Sequence, residues 1–494
     1  MTELAPDLTK NAPESSGADT DASLRARNRL VIGLLLVSTF VVILNETIMG
    51  VATPQLIIDL HITASAAQWL TSAFMLTMAV IIPVTGFLLK RFSTRALFIA
   101  AMSFFSLGTL IAALAPGFEI LLVARVIQAF GTAIMFPLLI TTVITLVPAE
   151  TRGRMMGNVS IVISVAPAVG PTISGLILSV LDWRFMFIIV LPIALAALIV
   201  GAKFMKNVTT PESSKIDVLS VILSAFGFGG LVYGLSELGA ASSPLQLWLP
   251  LAVGIVAIAL FILRQVGLQK LDKALLDLRT FTSRTFTFSV IMFAISMMAL
   301  FGTIILLPIY MQTVLGVDAL SAGLLLLPGG IVMAVMAPIV GRIYDRIGPT
   351  ALLVVGAAIV SGVLWFMTTF NQDSSFVLVL IAHITLSFGL SLVFTPLFTA
   401  SLASLKPHLY SYGSATVSTV QQLAGAAGTA VFVTVMSAKA TALVAGGDSV
   451  VSATASGVHS AFLIGAIISL FAIPAAFFVR KTELPAGVQA PAGH

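Results

Sequence analysis

The chain has 494 residues, 58% of them hydrophobic and 9% charged, with a mean hydropathy of +1.10. Soluble domains carry about 25% charged residues, so this composition excludes a soluble globular enzyme and describes a polytopic membrane protein. The net charge of +5 comes from Lys and Arg in short loops between apolar runs, which argues against nucleic acid, and the lack of cysteine excludes disulfides, thiol catalysis and cysteine-ligated metals.

Residues 1–29 are polar, rich in Asp, Ser, Thr and Pro, and read as a disordered tail with no cleavable signal before the first span. Apolar runs of spanning length follow at 30–52, 67–89, 96–115, 119–147, 154–180, 185–205, 217–238, 247–266, 286–314, 319–341, 350–370, 375–404, 412–440 and 457–479. Each is long enough to cross a hydrocarbon core of about 30 Å as a helix. The fold class is therefore all-α, with 14 predicted transmembrane helices. With the N-terminus in the cytoplasm, 22 of the 25 Lys and Arg fall in the cytoplasmic segments; Arg184 and Lys439 lie opposite and Arg125 lies within a span. This bias predicts both termini cytoplasmic and an even number of spans.

Along the spans, polar residues are few. Glu46 stands 16 residues into the first run, roughly 24 Å along a helix, where an ionised carboxylate is costly unless paired, hydrated or protonated. Arg125, in the fourth run, never loses its charge in a protein and needs partners or water; it can serve proton release from a nearby acid or simply hold backbone carbonyls. Thr47, Gln128, Gln421 and Gln422 are polar positions in the first, fourth and thirteenth runs, and Phe74, Phe136 and Phe394 could line a greasy cavity or merely pack. Five scattered histidines make a metal site unexpected, and no Gly-x-x-x-x-Gly-Lys loop is present, so no nucleotide cofactor is implied.

The chain repeats itself. Gly86 to Leu97, after the second run, is similar to Gly341 to Leu352, after the tenth, 255 positions later. Gly131 matches Gly389, and Gly157 matches Gly413. Runs one to six thus correspond to runs nine to fourteen, an arrangement used by secondary transporters with a midplane site. The expected domains are the tail 1–29, a six-helix bundle 30–206, two inserted helices with a connector 207–285, a second six-helix bundle 286–480, and a cytoplasmic tail 481–494. The stretch 267–285 reads as a basic amphipathic connector lying on the membrane surface. The repeat offset of Gly131 and Gly389 also sets His383 opposite Arg125, and His383 is a candidate second proton site, since histidine titrates near neutral pH; a merely hydrogen-bonded histidine is the alternative.

Four patches resemble the major facilitator superfamily, in its fourteen-helix drug:proton antiporter branch, with exporters of the lincomycin-resistance type the nearest subgroup. Gly86, Arg91 and Arg95 fit the loop motif Gly-x-x-x-Asp-Arg-x-Gly-Arg, although Lys90 holds the Asp position; Gly341, Asp345, Arg346 and Gly348 form a better second copy. There the resemblance implies a conformational latch, with Asp345 a few residues before helix eleven and stabilised by its dipole. Arg125, Gln128 and Gly131 fit the motif of the fourth helix. Ala166, Gly170, Pro171 and Gly175 fit the antiporter motif of the fifth, where small residues allow close helix approach and proline loosens the helix. Leu44, Thr47, Ile48, Val51, Ala52 and Pro54 fit the first-helix pattern, with Asn45 in place of its usual Asp and Glu46 one residue on, about 100° round the helix.

The resemblance implies a bacterial cytoplasmic-membrane exporter, not an enzyme, that expels amphipathic drugs or metabolites by proton antiport and alternating access. It implies a monomer in the lipid bilayer that draws on the proton-motive force and uses no cofactor. Glu46, Arg125 and His383 are the expected proton-coupling residues. Asn45, Thr47, Phe74, Gln128, Phe136, Phe394, Gln421 and Gln422 are the expected cavity, and the loop and fifth-helix motifs the gates. A nutrient facilitator or symporter, or a non-transporting receptor or lipid enzyme, are the alternatives; the Gly170-Pro171 motif argues against the first, and the lack of a clustered nucleophile, His and acid against the enzyme.

Overall fold

The computed structural model describes residues 15–62, 64–208, 211, 216–237 and 243–481. Among these residues there is no strand, and 14 helices are long and apolar enough to cross a membrane. They are α1 (Ser15–Asp59), α2 (Ala64–Arg91), α3 (Thr94–Ala113), α4 (Phe118–Leu146), α5 (Arg152–Leu178), α6 (Arg184–Phe204), α7 (Val218–Ser236), α8 (Pro244–Leu268), α9 (Arg284–Thr313), α10 (Ala319–Ile347), α11 (Thr350–Met367), α12 (Phe376–Ala403), α13 (Tyr410–Ala445) and α14 (Val450–Leu470). A short α15 (Ala472–Ala476) follows. The helices start where the sequence supplies caps: Ser93, Asp217, Ser243, Ser283, Asp318, Ser375 and Ser449 each accept a bond from a backbone N–H of the first turn. At the end of α10 the turn to α11 needs a left-handed φ, and Gly348, at φ 81, provides it.

α1 begins at Ser15, inside the stretch that composition reads as tail. Ala22, Leu24 and Ala26 are good helix formers, so the membrane helix propagates outward through them. Residues 1–14 and 482–494, which contain most of the two expected tails, lie outside the described residues.

The helix pairs α1–α5, α2–α4, α3–α4 and α3–α6 recur as α9–α13, α10–α12, α11–α12 and α11–α14. Two seams join these groups, α5 against α10 and α2 against α13, and they exchange under the same correspondence. The inserted pair α7–α8 breaks the symmetry, because α7 packs on α2 and α13 only at the second seam.

The connector, expected to lie on the membrane surface, is instead partly buried in the protein. It forms two short 3-10 turns, Gln269–Leu271 and Leu278–Thr282, and Ala274, Leu275 and Leu276 between them are buried. Its apolar side chains meet Phe87, Phe228, Phe261 and Ala415 rather than lipid. Protein offers more than lipid here: Gln265, itself buried, accepts bonds from the N–H groups of Leu275 and Leu276 at 2.7 and 3.2 Å. A headgroup region could not fix those donors in one geometry.

Candidate functional site

The first cluster is built on the buried guanidinium of Arg125. Its Nη1 donates to Asn45 Oδ1 at 3.2 Å and to Gln128 Oε1 at 3.1 Å, and its Nε to the Leu70 carbonyl at 3.4 Å. Phe74 lies beneath it, 4.1 Å from ring centroid to Cζ, a cation–π contact strengthened by the dry surroundings. Gln128 is oriented in turn by its amide bond to Thr109 Oγ1 at 2.9 Å. Three helices, α1, α2 and α4, therefore hold one cation with neutral partners. A guanidinium buried in this way costs several kcal/mol unless hydrogen-bonded, and these bonds explain how the fold tolerates it.

Glu46 is adjacent in sequence but is not within ion-pair distance of Arg125 among the described residues. It is half-buried. Val37, nine residues before it and 57% exposed, marks the outer face of α1, and nine residues at about 100° each place Glu46 about 180° away, on the inner face. Glu46 and Arg125 therefore act on each other's charge without an ion-pair contact. The amide of Asn45 occupies the contact position, and Glu46 faces inward one step round.

The fifth-helix motif sits against the same stretch of α1. Thr47 Oγ1 donates to the Leu44 carbonyl at 3.0 Å and to the Ala166 carbonyl at 3.4 Å, and a Cβ on Gly170 would collide with the Thr47 side chain. One turn on, Ser174 Oγ donates to the Ile48 carbonyl at 3.0 Å. Positions 166, 170 and 174 share a face of α5, which explains why Gly175, off that face, has open space where close approach was expected. Pro171 lies within α5, with its side chain outside the described residues.

His383 is buried in α12 against α10, its ring facing the backbone at Leu326 and Gly329, and its Nδ1 has no partner among the described residues. The repeat extends to these contacts: Arg125 meets the backbone at Leu70, and His383 meets it at Leu326, 256 positions later. Gln421 and Gln422 are half-buried on α13; Gln421 lies on the same face as Ser414, about 10 Å further along the helix. Phe136 and Phe394 join one ring cluster, Phe136 against Phe398 at 5.9 Å and Phe394 against Phe293 at 5.5 Å, with Phe293 and Phe398 4.7 Å apart. It spans the two repeat units.

The gating motifs meet at the end of the bundle that carries the Lys- and Arg-rich loops. Asp345 is in the last turn of α10, ahead of α11, but its carboxylate accepts the N–H groups of Gly153 at 2.8 Å and Arg154 at 3.0 Å. The dipole argument holds for a different helix: the acid caps the N-terminus of α5 in the other half. Gly153 and Gly341 face each other so closely that a Cβ on either would strike the partner's backbone carbonyl. Gly153, which motif reading missed, is thus as necessary as Gly341; its position in the first turn of a helix rich in small residues is the only sequence signal. At the other seam Gly86 lies against Tyr412 and the Ser411 carbonyl. Thr141 and Ser414 share a bond at 2.6 Å, and Thr395 Oγ1 donates to Ser160 Oγ at 3.0 Å. These bridging contacts all lie toward the basic end, which is closed. Arg91 and Arg346 are exposed there.

Replacing Arg125 by Lys should test the fork geometry. An ammonium cannot serve Asn45, Gln128 and the Leu70 carbonyl together, so transport should fall by about tenfold or more with little change in expression. Transport assays in vesicles, beside a thermal melt, would show this; wild-type rates would mean that charge alone suffices.

Two pseudo-symmetric helical groups of membrane-spanning length, joined along two seams, have the repeat architecture of secondary membrane transporters. The sequence profile of the Major Facilitator Superfamily matches residues 35–429, and the chain belongs to that family. It is 41% identical over 466 residues to the uncharacterized MFS-type transporter YcnB of Bacillus subtilis, covering 93% of this chain and 97% of that one. It is 41% identical over 459 residues to the lincomycin resistance protein LmrB of Listeria monocytogenes, covering 92% and 97%. Among solved structures, the human organic anion transporter MFSD10 superposes with a TM-score of 0.63 at 13% identity, over 91% of this chain and 99% of that one, a likeness of fold. The chain is a transporter and not an enzyme.

Proposed function

We propose that the chain exports amphipathic small molecules across a bacterial cytoplasmic membrane in exchange for protons. The observation that carries this reading is Glu46: an inward, half-buried acid close enough to act on the Arg125 charge, while the hydrogen bonds of that arginine go to neutral partners and its Nη2 has none among the described residues. A carboxylate that feels a fixed cation without being locked to it in an ion pair is a group whose protonation changes the charge of the site. Protons arriving from outside neutralise it and release a substrate, often cationic, that it had held. The membrane potential adds about 2.3 kcal/mol per charge per 100 mV to the exchange.

The positive-inside bias of the basic loops supports a cytoplasmic position for the closed end and both termini, and on that reading the described arrangement opens outward. The halves 30–206 and 286–480 rock about the seams, with 207–285 inserted between them, and the Asp345 cap holds the cytoplasmic end shut. Gln421 and the Phe136 and Phe394 rings line the path above the closed end. His383, with its unpartnered Nδ1, is a second titratable group in the other half. The printed name of the Listeria relative supports drugs such as lincomycin as the first substrates to test.

The experiment is drug-driven proton movement in everted vesicles, paired with susceptibility profiling of cells that lack or overproduce the protein. Substrate addition should dissipate an imposed pH gradient only when the protein is present, and overproduction should raise resistance to a subset of amphipathic drugs. A gradient that no member of a broad panel disturbs would overturn the reading.

A further inference from the structure

The two copies of the loop motif do not do the same job. Asp345 caps α5 through two backbone N–H groups. The repeat puts Lys90 at the equivalent place, facing the start of α13, where a cation opposes the helix dipole. No acid can close this seam from α2. Lys90 Nζ instead lies 5.1 Å above the ring of Tyr412, in the first turn of α13. The same Tyr412 donates its hydroxyl to the Ala274 carbonyl of the connector at 3.4 Å.

The connector is held rigidly for this contact. Arg279 bonds Asp272 and Asp277 together, each at 2.6 Å, and with Lys90 nearby it keeps the Asp272 carboxyl below the usual range. Gln265 bridges from the N–H groups of Leu275 and Leu276 to Ser220 Oγ at 2.7 Å, tying α8, the connector and α7 into one unit. Arg264 grips Asp217 at 2.6 and 2.7 Å through two nitrogens, holding that carboxyl well below its ordinary range. Leu275 and Leu276 then pack on Phe87 of α2 and Ala415 of α13, which belong to opposite halves.

We propose that the inserted helices and their connector form a clasp across the α2–α13 seam, with Lys90, Tyr412 and Ala274 as its contact, where α2 carries no acid to cap the facing helix as Asp345 of α10 does. The clasp rests on the two halves parting at the basic end during transport, and on neither proton coupling nor the identity of the substrate. The insertion is thus part of the gate and more than a spacer between the halves.

The test uses the full-length, naturally cysteine-free chain with one reporter, Thr395→Cys, buried at the opposite seam beside Ser160. A permeant maleimide reaches it only when the basic end opens. Lys90→Met and Tyr412→Phe should each speed labelling by about threefold, and Tyr412→Leu by more, as the cation–π contact and the hydroxyl bond are removed separately or together. Asp345→Asn serves as the comparison at the other seam. If it speeds labelling while the Lys90 and Tyr412 variants match the parent, the clasp is wrong and the rocking reading stands. If none of them changes the rate, both are wrong. Should Tyr412→Leu fail to insert, the two milder variants decide.

Discussion

Glu46→Gln is expected to abolish proton-driven export and to weaken the binding of cationic substrates, while leaving the folded protein and its membrane insertion intact. Glutamine has the shape of the protonated acid, so packing of the inner face of α1 is preserved. The hydrogen bonds of Arg125 do not run through Glu46; they go to Asn45, Gln128 and the Leu70 carbonyl, with the Phe74 ring beneath. Uphill export should fall by about a hundredfold, a loss of about 2.7 kcal/mol in coupling, and what transport remains should lose its dependence on external pH. Counterflow of an uncharged substrate, which needs neither the proton nor the carboxylate, should persist. Asn45→Asp combined with Glu46→Gln moves the acid onto Arg125, where an ion pair would hold it ionised; that variant should bind substrate but stay uncoupled. Normal pH-driven efflux by Glu46→Gln would remove Glu46 from the mechanism.

Asp345→Ala should have the next largest effect, on the conformational equilibrium rather than on coupling. The carboxylate accepts two N–H groups at the N-terminus of α5, charge-assisted bonds worth about 1.5–3 kcal/mol each before solvent competes for the freed donors. Losing even one shifts an open–closed equilibrium by about tenfold. A cysteine pair at Thr141 and Ser414, whose hydroxyls are 2.6 Å apart, should then cross-link more slowly than in the parent, and export should fall with it. Gly153→Val should act in the same direction, since its side chain would strike Asp345 and the Gly341 carbonyl. Undiminished cross-linking in both variants would show that the closed end is held by apolar packing alone.

These two residues also measure how far the sequence could be read. Glu46 and Arg125 were visible as the costly charges in the spans, and Asp345 as part of a repeated loop. Their partners were not. Asn45 looked like a lost acid and is the group that satisfies Arg125, leaving Glu46 to the inner face. Asp345 looked like a cap for the helix that follows it and instead caps α5 at Gly153, 192 residues earlier. Thr47, Phe74 and Gln128, expected in the cavity, form hydrogen bonds or ring contacts within the first half. Gly153 and Tyr412 carry seam contacts and belong to no motif that flagged them.

The sequence by itself determined the number of spans, the family and the repeat. Spanning length, apolar content and loop charge are local properties, and each segment satisfies its backbone hydrogen bonds internally whatever its neighbours are. Only the tertiary structure decided which polar group meets which, that the connector is buried against α2 and α13, and that the inserted helices cover a single seam. Those outcomes depend on distances between segments far apart in the chain, set by how small residues such as Gly153, Gly170 and Gly341 let helices approach. No local pattern encodes them.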